Sequence, residues 1–158
     1  MPNTYHVHIF LGVYDNGTLM ALPIGTGMVS PNAPSNGFVN GAQCFYFLHT
    51  HDRSGIVHIE SNMSTPTSQS IYTLKTYLDI WGITADANHF GPFQGPVRVF
   101  TSGQVSRGNM NNGLVTASNY TFWGTDPSNV PLYSHEVIFV EVGPNYPALP
   151  NVSFYTQF

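Results

Sequence analysis

Residues 44–51, Cys-Phe-Tyr-Phe-Leu-His-Thr-His, and residues 56–61, Ile-Val-His-Ile-Glu-Ser, flank the turn-forming run Asp52-Arg53-Ser54-Gly55. Aromatic and β-branched segments on both sides of such a run predict an antiparallel hairpin. Alternate residues on a strand share a face, so His49 and His51 project together. A two- or four-residue loop centred on Arg53-Ser54 sets His49 opposite His58, His51 opposite Ile56 and Phe47 opposite Glu60. One hairpin then carries three imidazoles and a carboxylate on one surface. A three-residue turn would instead carry His58 to the other face and break the constellation.

The remaining pattern is also that of strands and turns. Residues 5–14 alternate, with Tyr5, Val7, Ile9 and Leu11 on one face and His6, His8 and Phe10 on the other. Asn16-Gly17 supplies the positive φ angles of a type I′ hairpin turn, and residues 19–24 return from it. Residues 30–41 and 82–96 are rich in Gly, Pro and Asn and predict loops. Residues 44–51, aromatic on both faces, predict a central strand. Residues 97–101, 104–107, 120–123 and 134–142 predict further strands, and residues 62–70 and 108–119 polar, exposed stretches. The tail from Gly143, with Pro144, Pro147 and Pro150, predicts extended, packed chain. One helix is expected, near residues 74–81. Thr73 caps it, Leu74, Tyr77, Leu78 and Trp81 form its stripe, and Gly82 closes it. These elements imply a mainly β (α+β) fold of antiparallel hairpins, a sandwich or a partly open barrel. A length of 158 residues without an internal repeat suits a single β-rich domain over 1–158.

Composition narrows the function. Charged residues make up 8% of the chain and Lys plus Arg number four, too few for the clustered cations of a nucleic-acid binder. No apolar run is long enough to span a bilayer, so no transmembrane segment is expected. The start, Met-Pro-Asn-Thr-Tyr, lacks the basic and apolar regions of a signal peptide. A single cysteine excludes an intrachain disulfide.

Imidazole nitrogen is the ligand of zinc, copper and nickel, and donors converging from neighbouring strands make an ordinary site. His49, His51 and His58 are the first candidates. His6 and His8 join them if the first strand lies beside residues 44–51, and His135 is a further ligand candidate. Asp52 and Glu60 are the carboxylates placed to ligate or to orient an imidazole. The opposing account makes each histidine a hydrogen-bonded strand residue in a structural or adhesive surface domain. Cys44 invites a copper-thiolate reading, but on a regular strand it points away from His49 and His51, and a buried, inert thiol is expected. Phe45, Tyr46, Phe47, Tyr77 and Trp81 are expected in the core, and His89 is read as incidental. There is no nucleophile elbow, phosphate loop or dinucleotide fingerprint. A metal-assisted hydrolase, with Asp52 or Glu60 as base, is the catalytic alternative.

Three segments carry a resemblance: Tyr5-His6-Val7-His8, residues 44–60 with Leu-His-Thr-His-Asp-Arg-Ser-Gly-Ile-Val-His-Ile-Glu, and Leu78-Asp79-Ile80-Trp81-Gly82. Together they resemble an uncharacterised bacterial domain family of exported or membrane-anchored proteins. Ser134-His135-Glu136 fits the same pattern, whereas residues 104–130 depart from it. The resemblance implies an extracytoplasmic setting (secreted, periplasmic or cell-surface) and brings no activity. The leading expectation is a metal ion as the partner, zinc or copper, held on the 44–61 hairpin.

Overall fold

Asn16 and Gly17, at φ 49° and 88°, form the two-residue turn that joins β1 (Tyr5–Asp15) to β2 (Thr18–Met20), with Asp15 paired to Thr18. The computed structural model describes residues 5–61, 72–103 and 113–154. Next come β3 (Met28–Pro31) and β4 (Ala42–Phe45), which pair with each other, and then β5 (Leu48–His49) and β6 (Ile56–Ser61). The helix α1 (Leu74–Trp81) precedes a small meander of β7 (Ala85–Asp86), β8 (His89–Phe90) and β9 (Phe93–Gln94). The remaining strands are β10 (Val97–Thr101), β11 (Leu114–Val115), β12 (Thr121–Gly124), β13 (Val137–Val142) and β14 (Val152–Ser153).

Seven strands form the main sheet in the order β12-β10-β13-β1-β6-β5, with β2 also on β1. The fold is mainly β, as expected, and no sheet closes into a barrel among the described residues. Its centre adds a pairing that hairpins cannot make: Phe10–Asp15 of β1 runs parallel to Val137–Val142 of β13. β13 is buried at every position, and burial on both faces is the ordinary condition of a parallel pair.

Alternation splits the core in two. One face presents Ile9, Leu11, Val13, Val57, Ile59, Ile138, Val140 and Val142, against which Leu74, Tyr77 and Leu78 of α1 pack. The helix is the one expected, down to its left-handed Gly82, whose N–H donates to the carbonyls of Leu78 and Asp79. The other face presents Phe10, Tyr14, Ile56, Val137 and Phe139, covered by Val115 of β11, Val152 of β14 and Phe154. Each buried aliphatic or aromatic side chain there contributes about 1.5–3 kcal/mol. Toward the start of β1 this second face changes from apolar to imidazole.

Several expectations are corrected. Residues 44–51 do not make one central strand. The chain leaves β4 at Phe45 and re-enters the main sheet as β5, at its edge. Phe45, Tyr46 and Phe47 are therefore exposed, at 39%, 55% and 52%, rather than in the core. Cys44 is exposed too, not a buried thiol. The last strand begins at Val137, because His135 takes a left-handed φ of 58° that no strand continues through. The return from the first turn is β2 alone, shorter than residues 19–24. Residues 62–70, 104–107 and 108–112 lie outside the described residues, and within 113–119, expected to be exposed, Val115 is buried.

Candidate metal centre

The register across three strands builds the site. β5 and β6 pair with Leu48 opposite Ile59 and His49 opposite His58, the expected alignment. β6 and β1 pair with His58 opposite His8 and Glu60 opposite His6. The first strand thus lies beside β6, not beside residues 44–51. The consequence is stronger than the one anticipated, because β6 becomes the middle strand and His58 is flanked from both sides.

Two groups converge on it. One ring nitrogen from each of His6, His8 and His58 lies within 4.8 Å of the others, and the same holds for His49, His51 and His58. In the first group His8 Nε2 is 3.1 Å and His6 Nε2 3.2 Å from the same atom, His58 Nδ1. Glu60 Oε1 stands 3.3 Å from His6 Nε2, 3.8 Å from His49 Nε2 and 4.0 Å from His58 Nδ1. In the second group the His51 and His58 ring centres are 4.6 Å apart and those of His49 and His58 5.3 Å.

Backbone carbonyls orient the second group. His49 Nδ1 is 3.0 Å from Tyr46 O, and His51 Nδ1 is 2.6 Å from Val39 O. A carbonyl only accepts, so both Nδ1 atoms carry the proton and both Nε2 atoms carry the lone pair. Metal-binding histidines are commonly held this way. The kink that exposes Tyr46 also points its carbonyl at His49, and Gly27 makes the kink possible. At φ 75° Gly27 accepts the Tyr46 N–H, and a Cβ there would stand 2.2 Å from the Leu48 carbonyl oxygen. Phe38 lies flat on His51, with ring centres 4.8 Å apart, and Phe45 meets His49 edge-on.

Burial makes these rings poor bases. Desolvation first, and then the charges of the neighbouring imidazoles, push His58 down to about 2 and His8 to about 4. His49 is also lowered by burial, against the opposing pull of the Tyr46 carbonyl and Glu60. Near neutral pH these three rings are uncharged, the state in which imidazole binds a metal.

The other candidates fall outside the two groups. His135 donates its backbone N–H to His8 O, while its ring meets Ser134 Oγ and the edge of Phe154. Its proximity contributes to the lowering of His8. Asp52 accepts the Ser54 N–H at 2.8 Å and so shapes the hairpin turn. His89 pairs with Asp86 at 2.9 Å within the small meander, away from the site. The sequence reading missed Val39, Tyr46 and Phe38 as supports of His51 and His49. A backbone carbonyl carries no residue signature, and Phe38 sits in a turn-rich loop that nothing marks as adjacent.

No helix among the described residues is long and apolar enough to cross a membrane. The histidine clusters can hold a metal ion. No protein-family model, curated protein or solved structure matches the chain.

Proposed function

We propose that this protein binds a transition metal, zinc or copper, through the histidines on β1, β5 and β6. One observation carries the reading: His6 Nε2 and His8 Nε2 both approach His58 Nδ1, at 3.2 and 3.1 Å. A single ring nitrogen cannot form two full hydrogen bonds with one proton or one lone pair. Ligands around a tetrahedral zinc, at 2.0–2.1 Å from the ion, stand roughly 3.3 Å from one another. The two nitrogen separations and the 3.3 Å from His6 Nε2 to Glu60 Oε1 have that size. His6, His8 and His58 are thus a three-donor set, with Glu60 beside it, 3.3 Å from His6 Nε2 and 4.0 Å from His58 Nδ1. The imidazole majority favours zinc or copper over calcium or magnesium, which take oxygen.

The setting that we propose is extracytoplasmic, secreted, periplasmic or cell-surface, and it rests on the resemblance carried by Tyr5–His8 and residues 44–60. The test of metal binding is equilibrium dialysis of tag-free protein against Zn(II) or Cu(II), followed by elemental analysis. At least one ion per chain is expected, with a loss of affinity of a hundredfold or more in H8A/H58A. Substoichiometric metal, or unchanged affinity in that variant, would return the histidines to the role of a structural polar network.

A further inference from the structure

We infer that the cluster holds two ions, with His58 as the bridge between them. This rests on the metal-binding reading above and goes beyond it in number and connectivity.

His58 is common to both triads. A ring nitrogen has one lone pair to give, and the geometry commits Nδ1 to the His6 and His8 side. His58 can serve His49 and His51 only through its other nitrogen. Those two histidines are already prepared, because their Nδ1 atoms are tied to Tyr46 O and Val39 O and their Nε2 atoms are left as donors. The two triads therefore do not compete for the same lone pair. Metal–nitrogen bonds of about 2.0 Å on either side of one imidazole place the ions roughly 6 Å apart. Glu60 sits between the triads, with Oε1 3.3 Å from His6 Nε2 and 3.8 Å from His49 Nε2. A carboxylate there can lean to either ion or span both. Strand order explains why one residue can do this: β6 lies between β1 and β5, so only its side chains have imidazoles on both flanks.

The proton balance follows. Neutral imidazole carries one ring proton, and occupation of both nitrogens of His58 releases it to solvent. The bridge is then an imidazolate, which together with the Glu60 carboxylate offsets two of the four positive charges brought by two divalent ions. The alternative occupancy is one ion held by either triad in turn.

Native mass spectrometry and electron paramagnetic resonance of the tag-free chain, titrated with Cu(II), separate these cases. Two ions per chain are expected at saturation. Antiferromagnetic coupling across the imidazolate should bring the integrated signal well below two spins per chain. H49A/H51A should retain one ion with a full, uncoupled spin. Should that variant not fold, H6A/H8A, on the more exposed flank, reads the same stoichiometry. One ion per chain at saturation overturns the paired site and leaves metal binding intact. Two ions with two full spins overturn the bridge. No bound ion overturns the reading of the site as well.

Discussion

Two places on the main sheet bury groups that would rather face water, and they settle the difficulty in opposite ways. Glu136, 1% exposed, is met by donors: the Thr101 hydroxyl on Oε1 and the Tyr133 N–H on Oε2 at 2.9 Å. Burial raises its carboxyl to about 7, and those two donors oppose the rise. At His58 the neighbours are further imidazoles, whose nitrogens crowd the same ring atom. A carboxyl group met by hydroxyl and amide donors is a closed structural knot. Lone-pair donors turned toward one another form a site that a cation completes. Burial of polar atoms alone does not distinguish the two; the character of the partner atoms does.

The comparison predicts a separation of effects. Removal of the Glu136 carboxyl in E136A leaves a buried hydroxyl and a part-buried N–H without their acceptor, at a cost of about 1–3 kcal/mol for a fully buried group and less for the other. Urea denaturation should show the largest loss of stability here, about 3 kcal/mol, with metal stoichiometry unchanged. The H8A variant should invert the pattern. Its metal affinity should fall by about a hundredfold, or ~2.7 kcal/mol, while the metal-free protein loses less than about 1 kcal/mol. Metal loss in E136A, or a metal-free H8A as unstable as E136A, would erase the distinction between knot and site.

Acid sharpens it further. In metal-free protein His8 and His58 titrate below their usual 6.5, at about 4 and about 2. Between pH 6.5 and 4 the unfolded chain binds protons that the folded one excludes, so acidification destabilises. The slope is at most about 1.4 kcal/mol per pH unit for each histidine, and less for His8, whose ring water reaches. Glu136 acts with the other sign. Its folded pKa lies above the unfolded 4.5, so its contribution is complete below that pH and is lost as pH rises through about 7. Substitution E136Q removes this counterweight, and urea midpoints measured from pH 7 to 4.5 should fall more steeply than in the parent chain. A parallel pair of curves would show that Glu136 is ionised in the fold.

What the sequence made legible was local. The Asp52–Gly55 turn set His49 against His58, and the Thr73 and Gly82 caps bounded the helix, because a turn or a cap is written within a few residues. The strand order was not legible. Nothing in residues 5–14 says that they lie against β6, or that β13 runs parallel on their other edge. Those choices are made by long-range burial of Ile9, Leu11, Val13 and Val140. His6 and His8 therefore moved from a conditional contribution to the tightest convergence in the site. The kink at Tyr46 was hidden too, because aromatics that suit a central strand turned out to line an exposed rim. The roles of Asp52 and His135 could not be read either, since a side chain near a site in sequence can spend itself on its own turn.

The rim supplies the smallest effect and the finest discrimination. Phe38, 38% exposed, covers the His51 ring with planes 7° apart, and His51 takes its other support from the Val39 carbonyl next along the chain. Aromatic stacking at a half-open position is worth about 0.5–1.5 kcal/mol. F38L keeps the apolar bulk and removes the flat surface. It should alter stability by less than about 0.5 kcal/mol, because the side chain is already partly in water. Its effect should instead fall on His51 alone, loosening the ring and weakening metal held by His49 and His51 by about threefold to tenfold, the fold-change equivalent of that stacking energy. Metal held by His6 and His8 should be untouched. Isothermal titration of F38L with Zn(II) would therefore show one affinity shifted and one not. A single binding event, shifted as a whole in F38L, would mean that the two triads share one ion, and the division of the site along β6 would have to be abandoned.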